Sequence, residues 1–383
     1  MDLDLTHPAV SDLRDAARKR LPRFAFEFLD SATGTELGMD RNRRALDSIG
    51  FMPAILRGKL EAELTRRFMD HVYSLPVGIA PVGMSGMIWP GAERKLAKVA
   101  LERNIPYCMS TVAVATPEEI GPSAGAVGWF QLYPPECAEV RRHIIKRVRD
   151  SGFRKLVVTV DVPADSRRER QRRAHIALPP KLTTSMIVSM ALHPYWSLAM
   201  ALNGVPRLKL AESYVPKSHR GTDKFRHVGK IMRGQPDWDY LAAIRQEWED
   251  DLLVKGILDP DDAVRMIETG IDGIWVSNHS ARQFEAGPTS IGQLPKIREA
   301  VGYDVPIIFD SGVSGGMDVL RAIALGADFV FLGRAFHYAV AALGERGIHH
   351  LLHILDADMR SNMAQIGINS FDDLADRLIL DNR

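Results

Sequence analysis

The stretch LLVKGILDPDDAVRMIETGIDGIWVSNH, Leu252 to His279, holds two short apolar runs with a helical pattern between them. LLVKGI (252–257) and GIWVSNH (273–279) have the β-type composition and polar ends of buried strands. DPDDAVRMIETG opens on an acidic cap and a proline and closes on a glycine, which are helix start and stop signals. Strands that are apolar along their whole length have both faces covered, so the unit reads as two parallel strands joined by a helix.

The same kind of strand recurs on either side. LPVGIAP (75–81) precedes the helix pattern GAERKLAKVALERN. IPYCMS (105–110), AVGWFQLY (126–133) and KLVVTVDVP (155–163) follow, then a long gap before residue 252. VPIIFDSG (305–312) and DFVFLGR (328–334) complete the series, with GMDVLRAIALG between them. Eight strand candidates alternating with helices predict a closed (β/α)8 TIM barrel, with an open doubly wound sheet as the alternative. The barrel is expected in 71–163 and 251–345. Residues 1–70 read as an N-terminal helical extension that closes the barrel floor or edge, and 346–383 as packing helices. The 164–250 insertion between strands four and five is far longer than an ordinary loop, a length typical of functional lids or disordered segments.

Composition narrows the function classes. With 46% hydrophobic residues, 25% charged residues and a net charge of +1, the chain has no global pull toward nucleic acid or anionic lipid. The basic run RRERQRR (167–173) is read mainly as a solvated loop. Two cysteines, Cys108 and Cys137, can build neither a disulfide framework nor a structural zinc site, and they fit a reducing, cytoplasmic compartment. No metal site is expected. The N-terminus lacks the basic-then-apolar pattern of a secretory signal. The most membrane-like segment, Thr183 to Val205, is interrupted by His193 and Pro194, so it reads as a buried or interfacial helical hairpin rather than a span.

Barrel enzymes place their chemistry at the C-terminal ends of the strands. Those ends carry Ser110 and Thr111, Gln131 and Tyr133, Thr159 and Asp161, Lys255, then Ser277, His279 and Arg282, then Asp310, and finally Gly333 and Arg334. Singly, each has a plain role: a rim lysine, a satisfied histidine, a helix cap. Convergence on one mouth makes them a candidate site. The glycine-rich loops DSGVSGG and LGRAF lie where barrels commonly hold a phosphate on backbone N–H groups, and Arg334 adds a charged donor.

The stretches LPVGIAPVGM, STVAVATPEEI, WFQLYPP, VTVDVP, LVKGILDPDDA, VSNHSARQ and IALGADFVFLGRAF resemble the FMN-dependent α-hydroxy-acid dehydrogenase/oxidase family, which includes glycolate oxidase, L-lactate dehydrogenase and mandelate dehydrogenase. The resemblance covers nearly the whole chain and is nearest to the bacterial L-lactate dehydrogenases. It implies an FMN enzyme that oxidises an (S)-2-hydroxy acid to a 2-oxo acid and passes the electrons from flavin N5 to a quinone, oxygen or a carrier protein. It also implies a homotetramer with possible peripheral contact to the cytoplasmic membrane.

Position by position, Pro81, Val82, Gly83, Ser110, Gln131, Thr159 and Ser277 would line the flavin. Lys255 would stabilise negative charge at its N1/O2 edge. Asp310, Ser311, Gly312, Ser314, Gly333 and Arg334 would serve the ribityl chain and phosphate. His279 would be the base, with Asp161 stabilising its cation, and Arg282 the carboxylate clamp. Tyr133, Arg168, Phe28 and Val112 would face the substrate.

The chain departs from the family pattern in four places. Phe28 replaces a tyrosine whose hydroxyl meets the substrate carboxylate, and Ser280 replaces the glycine after the histidine. Ser314 stands for the arginine of the DGG(V/I)R phosphate loop, and Val112 stands where several members have tryptophan. These changes point away from the usual small substrate, toward a larger or unusual hydroxy compound. A catalytically silent flavin-binding protein is the remaining alternative.

Overall fold

The computed structural model describes residues 2–176, 182–216, 228 and 233–379. Eight strands form the centre: β1 (Val77–Ile79), β2 (Tyr107–Ser110), β3 (Gly128–Leu132), β4 (Lys155–Thr159), β5 (Asp251–Ile257), β6 (Gly273–Val276), β7 (Ile307–Phe309) and β8 (Phe329–Leu332). They pair in parallel in chain order, and β8 closes on β1. This is the closed barrel, and closure removes the open-sheet alternative.

The interior is filled by aromatic rings. Trp275 and Phe331 have ring centroids 4.4 Å apart, and Trp129 lies 5.1 Å from Phe331. Gly78 makes room for this layer, because a Cβ there would sit 2.6 Å from the Phe331 ring. The connecting helices take their starts from side-chain caps. Asp259 accepts from the N–H groups of Asp261 and Asp262 at the helix Pro260–Glu268, and Thr289 accepts from Gly292 N–H at Ser290–Val301.

The N-terminal region differs from the expected all-helical extension. Helices occupy Val10–Arg20, Arg23–Asp30 and Leu37–Asp47, but an antiparallel hairpin follows, Arg66–Phe68 with His71–Tyr73. The hairpin closes the barrel floor: Phe68 stacks on Trp129 at 5.8 Å, and the Tyr73 hydroxyl accepts from Trp129 Nε1. The helices Arg23–Asp30 and Leu37–Asp47 instead pack at the opposite end, over the mouth. Gly50–Phe51 also pairs with Leu378–Ile379, so the tail carries a strand after its long helix Glu345–Ile366. Alternating burial in three-residue strands is too short a signal to separate from a helix turn.

The insertion is helical where described. Two of its helices, Thr184–Ala191 and Pro194–Asn203, meet at 102°. The hairpin is exposed rather than buried: Leu192, Tyr195, Leu198, Leu202 and Val205 face outward, and Trp196 is its one buried side chain. Trp196 packs edge-on against Phe24 at 5.5 Å and donates to the Ile88 carbonyl. Among the described residues no single helix is long and apolar enough to cross a membrane.

The basic run is not simply a solvated loop. Arg170 ion-pairs with Glu27, Asp30 and Glu36, tying the start of the insertion to the N-terminal helices. Asp30 also accepts from Arg14 and from the Tyr338 hydroxyl. Burial alone would raise the Asp30 carboxyl, but these partners hold it well below the usual carboxylate range.

Candidate active site at the barrel mouth

The strand ends deliver a continuous buried polar row. Ser110 Oγ donates to Gln131 Oε1 at 2.9 Å, and Gln131 Nε2 donates to Thr159 Oγ1 at 2.9 Å. One strand further round, Lys255 Nζ donates to Ser277 Oγ at 2.6 Å and to Asp310 Oδ2. Its ammonium lies over the Trp275 ring, whose Nε1 donates to the same Asp310 oxygen.

β5 carries a bulge between Lys255 and Ile257, and Gly256 adopts φ +106 there. A Cβ at Gly256 would lie 2.5 Å from Asp161 Cβ and 2.6 Å from its Cγ. The bare glycine therefore lets the β4–β5 edge bring Asp161 and Lys255 to one mouth.

Asp161 faces the imidazole: His279 Nδ1 is 3.1 and 3.2 Å from its two carboxylate oxygens. Nδ1 is thus the protonated nitrogen, and Nε2 is left as the basic one. Burial pushes the Asp161 carboxyl up, but the attraction and hydrogen bond of His279, together with Lys255, reverse this and hold it below the ordinary value.

The loop that presents His279 is a run of left-handed residues, with φ of 55, 54 and 55° at His279, Ser280 and Ala281. Such a run of non-glycine residues is strained and has to be held by its surroundings. Asn278 exchanges two hydrogen bonds with Asn42 of the helix Leu37–Asp47 and accepts from Ala281 N–H. Ser280 N–H donates to Ser311 Oγ at 3.0 Å, and Ser311 Oγ donates to Asp310 Oδ1 at 2.7 Å. Ser280 and Ser311 therefore touch. They link the histidine loop to the aspartate beside Lys255.

Arg282 is anchored by carbonyls. Its Nη1 donates to Leu29 O (2.8 Å) and Ser31 O (2.9 Å), and its Nη2 to Phe28 O (2.7 Å). Three of the five guanidinium N–H groups are consumed. The Nε–H and one Nη2–H remain, and these share the edge that matches a carboxylate in two-point contact. Burial lowers the proton affinity of this guanidinium, with Arg168 and Arg334 adding repulsion, so a bound anion would relieve it. The Phe28 ring lies 5.9 Å from the Arg282 guanidinium. The Tyr133 hydroxyl is pushed up to about 12, chiefly by burial and also by Asp161, so it is a donor at neutral pH.

The remaining residues shape the walls. A Cβ on Gly83 would meet Val112 Cγ2 at 2.5 Å, and one on Gly333 would meet Val82 Cγ2 at 3.3 Å, so Gly83 lies against the loop after β2 and Val82 against the loop after β8. Ser85 Oγ is 2.7 Å from His337 Nε2, and His337 Nδ1 is 2.8 Å from the Gly333 carbonyl, tying the β1 and β8 loops together.

At the expected phosphate end the arrangement differs from the sequence reading. Arg334 turns its guanidinium toward Leu29 O, Ser31 O and the Met39 sulfur rather than into the glycine loop. The Ser314 N–H is taken by Asp318. Arg43, which sequence reasoning missed, reaches in from the helix Leu37–Asp47 and donates to Ser314 Oγ (2.8 Å), Gly312 O (3.1 Å) and Asp318 (2.6 Å). Gly312 (φ +93) packs against Asn42 and Leu46 of that helix.

Residues 17–381 match the model of the family described as FMN-dependent dehydrogenase. The chain belongs to the FMN-dependent dehydrogenase family. It is 37% identical over 372 residues to an L-lactate dehydrogenase of Acinetobacter baumannii, covering 96% of this chain and 97% of that one. The L-lactate dehydrogenase of Pectobacterium atrosepticum is 36% identical over 367 residues, 96% and 95% of the two chains. A structure of the monotopic membrane protein (S)-mandelate dehydrogenase superposes with a TM-score of 0.90 at 31% identity, over 97% of this chain and 98% of that one. A mandelate oxidase superposes with 0.82 at 29% identity, over 98% of both chains. This family member is accordingly an FMN-dependent oxidoreductase of 2-hydroxy acids. The donor set fits that cofactor: a row of buried hydroxyl, amide and ammonium groups for a flat polar ring edge, and two glycine-bearing loops at its end.

Proposed function

We propose that the protein oxidises an (S)-2-hydroxy acid to the 2-oxo acid at this mouth, with His279 as base and Arg282 as carboxylate clamp. The observation that carries this reading is the convergence of a carboxylate-paired imidazole with an anchored guanidinium that keeps one two-point edge open. Bound FMN supplies the two-electron acceptor. Arg282 fixes the substrate carboxylate, and Tyr133 adds a neutral donor. His279 Nε2 takes the hydroxyl proton, and Asp161 stabilises the imidazolium so formed. Pro81, Val82, Gly83, Ser110, Gln131 and Thr159 would line the flavin, and Lys255, already fixed by Ser277 and Asp310, would hold negative charge at its pyrimidine edge. Asp310, Ser311, Gly312, Gly333 and backbone amides would take the ribityl chain and phosphate, with Arg43 near Ser314 as the nearest cation of that loop.

The electron acceptor is proposed to be a lipid-soluble quinone. The exposed apolar hairpin packs on the helix that supplies the Phe28 and Leu29 carbonyls to Arg282, and an apolar surface of that kind beside the mouth supports an acceptor drawn from the lipid phase. Leu198→Glu with Leu202→Glu is expected to abolish sedimentation with phospholipid vesicles while leaving flavin reduction by substrate intact. Unchanged sedimentation refutes the docking surface. The chemistry itself is tested by anaerobic flavin bleaching with 2-hydroxy acids, which His279→Gln should abolish.

A further inference from the structure

The turn that presents His279 is left-handed at His279, Ser280 and Ala281, and the N–H group of each is held by a side chain. His279 N–H donates to Ser277 Oγ at 3.0 Å and Ala281 N–H to Asn278 Oδ1 at 3.2 Å, both within the same loop. Contacts that local travel with the loop if it shifts. Of the three N–H groups, only that of Ser280 reaches a different strand end, at Ser311 Oγ after β7, 3.0 Å away.

Ser311 is fitted for that contact. It is buried, and its hydroxyl proton goes to Asp310 Oδ1 at 2.7 Å, which leaves a lone pair facing Ser280 N–H. A hydroxyl that donates to a carboxylate is polarised and accepts more strongly. Asp310 is itself pinned, because its Oδ2 accepts from Lys255 Nζ and from Trp275 Nε1. Lys255 also donates to Ser277 Oγ, the group that holds His279 N–H. The N–H groups at 279 and 280 thus both end on hydroxyls fixed by the Lys255–Asp310 pair.

Ser280 is the residue that needs such a tether. At φ 54 a side chain is crowded by the backbone, and a residue left unheld there moves to the right-handed or extended region. Arg282, next after the turn, is anchored separately by the Phe28, Leu29 and Ser31 carbonyls. Loosening residue 280 would therefore displace the imidazole and leave the carboxylate clamp in place.

We propose that Ser311 is a positioning residue for the base: its hydroxyl holds Ser280 in the left-handed turn that presents His279, and the tether is required because residue 280 carries a side chain. The proposal rests on the 2-hydroxy-acid reading above, with His279 as base.

The test is a double-mutant cycle on the FMN-loaded protein, with Ser311→Ala made in the parent and in a Ser280→Gly background. Glycine takes up φ 54 without strain, so that background needs no tether. Alanine is chosen at 311 because this residue is itself left-handed, φ 89, and glycine there would relieve a second strain. In the parent, Ser311→Ala should slow anaerobic flavin reduction by a 2-hydroxy acid about tenfold, the population factor for an unheld left-handed residue. In the Ser280→Gly background the same substitution should cost less than about twofold. Affinity for the 2-oxo acid, read from the flavin spectrum, should stay within about twofold throughout, because Arg282 keeps its anchors. The melting temperature should follow the rate cycle, falling with Ser311→Ala in the parent background only. An equal loss in both backgrounds would mean that Ser311 acts on the cofactor or on packing, and it overturns the proposal. A parent rate unchanged by Ser311→Ala overturns it as well. If no 2-hydroxy acid reduces the flavin in either background, the base reading fails, and the melting-temperature cycle then decides the tether by itself.

Discussion

Replacing Gly256 by alanine tests whether the β5 bulge sets the catalytic pair. The glycine sits at φ +106, where an L residue is strained by about 1–3 kcal/mol. The new methyl would also enter a space in which Asp161 Cβ and Cγ lie at 2.5 and 2.6 Å, an overpacking worth about 1–3 kcal/mol. If nothing moved, the substitution would cost about 2–6 kcal/mol of stability by those two terms. The cheaper relief is for Asp161 to withdraw by about 1 Å, which detaches it from His279 Nδ1. A displacement of that size at a catalytic group costs about 100-fold in rate. The expected Gly256→Ala protein therefore retains FMN and a KM near the parent's while kcat for substrate oxidation falls about 100-fold. Stopped-flow flavin reduction gives the rate, and thermal unfolding gives the stability. A variant with the parent's rate and the parent's melting temperature would refute the role assigned to the bulge.

Further outcomes follow from the same geometry. Arg282→Lys removes both the triple carbonyl anchor and the two-point edge, so kcat/KM should fall by about 100-fold, or about 2.7 kcal/mol of binding to the transition state. A loss under threefold would show that the clamp lies elsewhere. His337 is buried and its imidazole is pushed down to about 4 from 6.5. The unfolded chain therefore takes up a proton at a pH where the folded one does not. The stability from this site is complete above pH 6.5 and is lost as pH falls toward 4, by about 3 kcal/mol in total. Urea unfolding should show His337→Gln with a flatter acid limb than the parent; identical limbs would contradict the neutral buried state.

Much of the barrel was legible because its strands are apolar on both faces and its helices carry ordinary caps, as at Asp259 and Thr289. The strand-end residues were legible for the same reason: once β4, β5 and β6 are placed, Asp161, Lys255 and His279 must share a mouth. What escaped depends on contacts between distant segments. The floor hairpin at 66–73 is too short for a period to show, and the tail strand at Leu378–Ile379 has meaning only through Gly50–Phe51. Gly256 looks like any strand glycine until the bulge brings it against Asp161. Arg43 lies on the extension, so no spacing within the barrel motifs could link it to the loop after β7. Arg334 shares the Leu29 and Ser31 carbonyls with Arg282, a contact between β8 and the extension that its position after the strand could not show.

The central claim is that His279, paired with Asp161, takes the substrate proton while Arg282 holds the carboxylate. It is tested most directly by anaerobic titration of the yellow, FMN-loaded protein with a panel of (S)-2-hydroxy acids, parent and His279→Gln side by side. At least one acid is expected to bleach the parent's flavin absorbance to completion and release one equivalent of 2-oxo acid. His279→Gln is expected to bind that acid but leave the flavin oxidised on the same timescale. A flavin-loaded parent that no 2-hydroxy acid reduces, or a His279→Gln protein that bleaches as fast as the parent, would contradict it.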